Sequence, residues 1–211
     1  SLTVPLEADC PMPDAGYPIV LYAHGTGGNY RPYLRDGTAR TLATQCLATM
    51  GVDQIFHGTR WGAPDDDSAT AILFFNFMNI AAARTNTRQS ALDEVQRARL
   101  FTEAAASIPA AISPSGKEIR FDKTRVLFFG HSQGGLNGPL FLAADNAVRG
   151  CKAVDRAARQ HDRVDRLHEV LGGQRVRLAR SRPPAARVAR GDRPFVGQGG
   201  RDPAARSLIL R

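Results

Sequence analysis

Short apolar stretches recur along the first 150 residues at lengths that suit β-strands. They occupy residues 18–23 (PIVLYA), 52–56 (VDQIF) and 125–129 (RVLFF), and a further strand is expected to begin within 147–150. Apolar stretches of this length, with turn-forming residues on either side, are typical of strands buried inside a sheet.

Between these stretches, apolar residues repeat at the spacing of an α-helix. Helices are predicted over residues 38–50, 68–80, 86–108 and 136–146. Gly51 is suited to cap the first of them, and the second is far too short to span a bilayer. The third is expected to bury four side chains: Leu92, Val95, Leu100 and Phe101.

The alternation of strands and helices determines the expected fold class. It predicts an α/β fold, with a mostly parallel sheet covered by helices on both faces. A chain of 211 residues is by default one domain. We expect its core to lie within residues 1–150.

The segment Gly-His-Ser-Gln-Gly-Gly at residues 130–135 lies between a predicted strand and a predicted helix. A G-x-S-x-G sequence in that position is typical of a nucleophile elbow. The small neighbours Gly130 and Gly134 let the strand and the helix approach closely. The hydroxyl of Ser132 is then held clear of the backbone at the tip of the turn.

A second glycine-rich segment follows the first predicted strand. It reads His24-Gly25-Thr26-Gly27-Gly28, about a hundred residues before the elbow. Glycines allow such a loop to turn tightly and to approach a ligand without Cβ atoms in the way. A phosphate-binding P-loop is disfavoured because the Lys-Ser/Thr pair of that motif is missing.

Taken in this order, the two motifs resemble those of α/β-hydrolases, in particular bacterial esterases and lipases. Residues 52–60 (VDQIFHGTR) are similar to the "D-x-x-x-H-G-x-R" strand end of large secreted lipase-like hydrolases. Residues 76–91 are similar to the "N-x-x-N … A-R-x-N-x-R-Q-x-A" segment of that group. The resemblance covers about residues 15–150.

The resemblance implies a serine hydrolase that cleaves small-molecule or lipid esters through an acyl-enzyme, without a metal or an organic cofactor. Ser132 would be the nucleophile, and the backbone N–H groups of Thr26 and Gln133 would form the oxyanion hole. Supporting positions in the loop and the elbow would be His24, Gly25, Gly27, Gly130 and Gly134. Thioesterases, peptidases and acyltransferases share these motifs.

Other polar residues of the first 150 positions are expected to have structural roles. His57 is expected to orient a loop through hydrogen bonds, and His131 to pack beside the elbow. The acidic run at residues 65–67 is predicted to be a solvated loop rather than a cation site.

The acid and the histidine of a catalytic triad are left unassigned. In this family they follow the serine along the chain, and the only later histidines are His161 and His168. Asp155, Asp162 and Asp165 could pair with them on paper. Each pair lies in a helix-like stretch too close to Ser132 for this fold.

The charge of the chain changes at about residue 150. Residues 1–150 hold 13 basic and 14 acidic residues, whereas residues 151–211 hold 15 basic and 6 acidic residues. The second segment therefore carries a net charge of +9 and is rich in arginine. It contains a single aromatic residue, Phe195.

Three interpretations of residues 151–211 are open. They could be a divergent lid or subdomain, or a basic arm by which a non-catalytic hydrolase-like protein binds acidic partners. The few aromatic residues argue against a dedicated nucleic-acid domain. The composition is best explained by an out-of-frame product of GC-rich DNA, because shifted reading enriches Arg, Ala, Gly and Pro. In that case the hydrolase fold would be incomplete at its C-terminus, and this chain would be inactive for lack of a complete triad.

The cysteines give information about the cellular compartment of the protein. Cys10 and Cys46 could form a disulfide in an exported protein, or Cys46 could be a buried free thiol on a helix. The resemblance favours an extracellular or periplasmic location. The chain begins at Ser1, so a fragment or a mature form is expected, with no signal peptide or transmembrane span left to identify. The oligomeric state is left open.

Overall fold

The computed structural model describes residues 1–146, 148–154 and 207–210. This part of the chain contains six strands: β1 Leu2–Pro5, β2 Tyr17–Ala23, β3 Ala48–Gly51, β4 Phe121–His131, β5 Val148–Val154 and β6 Ser207–Leu210. It also contains five helices: α1 Pro32–Arg35, α2 Thr38–Ala43, α3 Asp67–Phe75, α4 Ile80–Thr102 and α5 Gln133–Ala144.

The strands form one sheet in the order β5-β4-β2-β3-β1-β6. Neighbouring strands are parallel from β5 through β4 and β2 to β3, whereas β1 is antiparallel to both β3 and β6. The predicted α/β class with a mostly parallel sheet is therefore confirmed. β5 continues to Val154, four residues beyond the change in composition at residue 150.

Helices cover both faces of the sheet, as predicted. Alternate residues of β2 point to opposite faces: Ile19 and Leu21 pack in the cluster that contains α4 and α5 side chains. Val20 and Tyr22 pack on the other face, where α1 and α2 supply the partners. A sheet buried in this way has continuous apolar strands, which is why β2 contains only apolar and aromatic residues.

The connections that follow β2 and β4 leave in opposite directions. These strands are parallel neighbours, and Ala23 at the end of β2 lies beside Gly130 at the end of β4. The chain continues from β2 to α1 and α2 on one face, and from β4 to α5 on the other. Such a switch point opens a crevice at the carboxyl ends of the strands, where α/β proteins bind their ligands.

A disulfide joins Cys10 to Cys46, with a Cα–Cα distance of 5.5 Å. It connects the segment before β2 to the turn before β3. Of the two alternatives considered for Cys46, the structure therefore has the disulfide. Cys46 lies beyond the end of α2, in a turn with φ of 58°.

Two adjacent predictions are wrong. The helix predicted over residues 38–50 ends at Ala43, and after a turn at residues 44–46 the chain enters β3 at Ala48. The strand predicted over 52–56 is a loop in which Phe56 has φ of 61°. The mostly apolar residues 47–50 suit either element. Pairing with β2 decides for a strand, because Ala48 lies opposite Ile19.

The boundaries of the later helices also differ. The helix predicted over 68–80 ends at Phe75, because Asn76 takes a left-handed conformation. α4 begins at Ile80 rather than at residue 86, since the Asn79 side chain accepts a hydrogen bond from Ala82 N–H and caps it. α4 ends at Thr102 rather than at residue 108. The helix predicted over 136–146 is α5, which begins directly after Ser132.

Of the four α4 side chains expected inside, two are buried and two are not. Val95 and Phe101 belong to the core, whereas Leu92 and Leu100 are 53% and 43% exposed.

Among the described residues, no helix has the length and apolar character needed to cross a membrane.

Candidate active site

Ser132 occupies the turn between β4 and α5, as predicted for a nucleophile elbow. Its backbone has φ of 52° and ψ of −117°, a region that non-glycine residues rarely adopt. Such a conformation is costly, and it persists only where the surrounding structure enforces it. The residue is exposed. It lies just beyond the carboxyl end of β4, beside the carboxyl end of β2.

Two glycines permit this turn. A Cβ atom on Gly130 would lie 2.5 Å from the carbonyl oxygen of Gly134. A Cβ atom on Gly134 would overlap the carbonyl group of Ala23 in β2. Both contacts involve backbone atoms, which cannot move aside as a flexible side chain can. The close approach of the preceding strand and the helix expected from the sequence is present at Gly130, whereas Gly134 lies against the neighbouring strand β2.

The glycine-rich loop after β2 crosses directly beside the elbow. A Cβ atom on Gly25 would lie 3.1 Å from Cβ of Ser132. The next residue, Thr26, donates a hydrogen bond from Oγ1 to Oε1 of Gln133 at 2.8 Å. The structure thus brings together Thr26, Gln133 and Ser132, which the sequence analysis had grouped. Within the described residues, the N–H groups of Thr26 and Gln133 donate to no protein acceptor.

His24 at the base of this loop is fully buried. Its Nδ1 donates to the carbonyl oxygen of Gly25 at 2.8 Å, and its Nε2 accepts from Gln54 N–H at 3.1 Å. Burial lowers the pKa of His24 to about 4, so the ring is neutral at physiological pH. The neutral ring matches these bonds, because Nε2 must be unprotonated to accept.

Two buried amides, which the sequence analysis did not identify, connect this loop to α5. The Gln54 side chain donates from Nε2 to the carbonyl oxygen of His24 and accepts at Oε1 from Asn137 Nδ2 at 2.9 Å. Gly134 N–H donates to the same His24 oxygen at 3.1 Å. Three segments that are distant in sequence therefore meet at one carbonyl group. No local pattern marks Gln54 or Asn137 for this role.

The "D-x-x-x-H-G-x-R" segment organises loops, as expected for His57. His57 accepts from Gly27 N–H at Nε2 over 3.2 Å and donates from Nδ1 to Ile55 O over 2.7 Å. The Asp53 carboxylate accepts from the N–H groups of Tyr30 and Thr59. In the acidic run, Asp66 caps α3 by accepting from Ala69 N–H.

Neither His24 nor His57 can act as the general base for Ser132, because both ring nitrogens of each already make hydrogen bonds within the protein. His131 packs beside the elbow, with Nδ1 3.2 Å from the position of a Cβ atom on Gly25. His161 and His168 lie outside the described residues, as do their candidate acidic partners Asp155, Asp162 and Asp165.

We expect His24 to make the free energy of unfolding depend on pH. Its pKa is about 4 in the folded chain and 6.5 when unperturbed. Below pH 6.5 the unfolded chain therefore binds a proton that the folded chain does not bind. Stability should fall by about 3 kcal/mol as the pH is lowered from 6.5 to 4.

Urea unfolding at a series of pH values measures this effect. In His24→Gln, an amide oxygen replaces Nε2 as acceptor for Gln54 N–H but does not titrate. The variant should lose the His24 contribution, while all other titrating groups stay common to both proteins. Equal pH slopes for the two proteins would contradict the assignment.

No protein-family model and no curated protein matches this chain. Solved structures do match. The chain is similar to the α/β hydrolase GrgF from Penicillium sp. sh18, with a TM-score of 0.43 and 16% identity over 73% of this chain and 44% of that one. It is also similar to DcsB in complex with its substrate analogue, with a TM-score of 0.44 and 17% identity over 76% and 48%.

A third similar structure is a cold-adapted esterase from an Arctic intertidal metagenomic library, with a TM-score of 0.41 and 16% identity over 65% of this chain and 49% of that one. The chain spans about half the length of these three structures.

Proposed function

We propose that the protein is a serine hydrolase that cleaves carboxylic esters through an acyl-enzyme on Ser132. The conformation of Ser132 carries this proposal. A non-glycine residue with φ of 52° and ψ of −117° stands exposed at the switch point of a parallel sheet. Packing alone gives no reason to maintain such a strained serine there.

The chemistry follows from the surroundings of Ser132. Its Oγ forms a bond to the ester carbonyl carbon, while its proton passes to a general base that the described residues do not identify. The carbonyl oxygen becomes an oxyanion and accepts hydrogen bonds from the N–H groups of Thr26 and Gln133. The alcohol then leaves with a proton, and water cleaves the acyl-serine by the same steps.

The position of Gln133 assists this step. It is the first residue of α5, so its N–H is one of the donors that a helix leaves unsatisfied at its N-terminus. The helix dipole places partial positive charge at the same point. Removal of one oxyanion donor typically costs about 10²–10³ in kcat in enzymes of this type.

The substrate proposed is a small-molecule or lipid ester. For the location, we propose export from the cytoplasm, which the disulfide between Cys10 and Cys46 supports. Disulfides form and persist in oxidising compartments and are rare in the cytosol. Recovery of the protein only from the cytosol of its host, with both thiols reduced, would contradict export.

A fluorophosphonate probe followed by peptide mapping tests the nucleophile. Ser132 should be labelled, and Ser132→Ala should abolish labelling. Ser115→Ala provides a matched control, because Ser115 is another exposed serine, in the loop before β4. Its replacement should leave labelling unchanged.

Because no general base for Ser132 is identified among the described residues, the test needs a second protein. The gene should be resequenced through codons 140–160, and the protein encoded by any corrected frame should be labelled in parallel. A corrected frame should encode a further Asp or Glu and then a His. Cooperative unfolding of both proteins, together with failure of the probe to label Ser132 in either, would refute the proposal.

A further inference from the structure

Thr26 and Gln133, whose backbone N–H groups are the proposed oxyanion donors, also share a hydrogen bond between their side chains. Oγ1 of Thr26 donates to Oε1 of Gln133 over 2.8 Å, across 107 positions of sequence. Gln133 is 2% exposed, whereas Thr26 is exposed, so the bond joins an exposed donor to a buried acceptor. One residue belongs to the loop after β2 and the other to the first turn of α5.

The loop is held at three points along its length. Its base is fixed where His24 O accepts from Gly134 N–H and Gln54 Nε2. Its far side is fixed where Gly27 N–H donates to His57 Nε2. Thr26 lies between these points. Among the described contacts, the bond from Thr26 to Gln133 is the one that ties the tip of the loop to the elbow.

The burial of Gln133 has an energetic cost that packing does not explain. Its Nε2 is buried and has no partner among the described residues. A buried amide donor without a partner costs about 1–3 kcal/mol. An apolar side chain of similar length would fill the same space without this cost. The acceptor oxygen is the part of the side chain that an apolar residue could not supply.

The neighbouring glycine shows why such a bond is needed. Gly25 lets the loop approach within van der Waals contact of Ser132, but a glycine confers no rigidity on the backbone. The Thr26 N–H follows this flexible position. Without a restraint on Thr26 itself, its N–H would move relative to the Gln133 N–H.

We propose that the hydrogen bond between the Thr26 and Gln133 side chains fixes the distance between the two oxyanion N–H groups. Both side chains are thus positioning groups for the reaction, and the inference rests on the proposed function. The Thr26 hydroxyl has one proton, which it donates to Gln133 and not to the substrate. Its effect on the rate is therefore exerted through Gln133.

A double-mutant cycle on the full chain, or on the corrected-frame protein if that is the active form, tests this coupling. Thr26→Val and Gln133→Met remove the donor and the acceptor while keeping a similar volume. Each should lower kcat roughly tenfold, a fraction of the value of a whole oxyanion donor, with KM changed less than about twofold. Thr26→Ser keeps the hydroxyl and should retain most of the activity.

The double variant decides between two roles of the hydroxyl. If it acts through Gln133, Thr26→Val should have no further effect in the Gln133→Met background. If it contacts the substrate directly, the loss from Thr26→Val should be the same in both backgrounds, and the inference would be overturned. Unchanged kcat in both single variants would overturn it as well.

A second measurement separates this inference from the proposed function. Amide hydrogen exchange of residues 24–28 should accelerate in both single variants and not in Thr26→Ser. This readout requires folding but no catalysis. Exchange that is unchanged, in a protein whose Ser132 is still labelled, rejects the inference alone. Faster exchange, with Ser132 unlabelled both in this chain and in any corrected-frame protein, rejects the hydrolase and leaves the positioning bond in place.

Discussion

Gly134→Ala is expected to disrupt both the fold and the labelling of Ser132. The added methyl group would overlap the carbonyl group of Ala23, and neither α5 nor β2 can retreat without breaking the bond from Gly134 N–H to His24 O. Overpacking against side chains typically costs about 1–3 kcal/mol. Because the obstacle here is backbone, we expect a loss of about 3 kcal/mol or more, a large part of the stability of an ordinary domain.

Urea unfolding of Gly134→Ala and of Gly116→Ala gives the matched comparison. A Cβ atom on Gly116 would have nothing within 4 Å, although its φ of +66° disfavours alanine. That variant should lose only about 1 kcal/mol, the cost of the left-handed conformation. Similar losses at the two positions would show that the contact between α5 and β2 is looser than the structure indicates.

The elbow could be predicted from the sequence because its causes are local. A strand, a sharp turn and a helix occupy about twenty consecutive residues, and Gly130 marks where the backbones of β4 and α5 meet. The loop at residues 24–28 could be predicted for the same reason. In both motifs, glycines stand where a Cβ atom would meet neighbouring atoms of the site.

Other parts of the molecule depend on partners distant in sequence. β3 is a strand because it pairs with β2, and residues 47–50 taken alone fit a helix equally well. Gln54 and Asn137 belong to the site only because the loop after β3 and the second turn of α5 meet at His24 O. An amide in a sequence carries no signal of the carbonyl that it will bind.

The buried ion pair of α4 is a further feature that no sequence pattern predicts. Arg97 and Glu94 are both almost fully buried and form a salt bridge one turn apart. Nη1 of Arg97 also donates to Tyr22 O at 3.1 Å and to Met50 O at 3.4 Å, at the carboxyl ends of β2 and β3. Burial lowers the pKa of Arg97 to about 9, so it remains charged at neutral pH.

Replacement of Arg97 by methionine should destabilise the protein by about 3–5 kcal/mol, because it leaves the Glu94 carboxylate buried without a counter-charge. Arg99→Met is the matched control two residues away. Arg99 pairs with Glu103 at 3.4 Å, and both side chains are largely exposed, so the loss should be under about 1 kcal/mol. Urea unfolding of the two variants measures the difference.

The double variant Glu94→Leu/Arg97→Met separates the two contributions of this pair. It removes both charges, so it should recover most of the stability that Arg97→Met loses if the unpaired carboxylate is the cause. The part that is not recovered reports the bonds from Arg97 to Tyr22 O and Met50 O. Since Tyr22 is two residues before His24, a large unrecovered part should be accompanied by weaker fluorophosphonate labelling of Ser132. Full recovery with unchanged labelling would show that the pair matters to α4 alone.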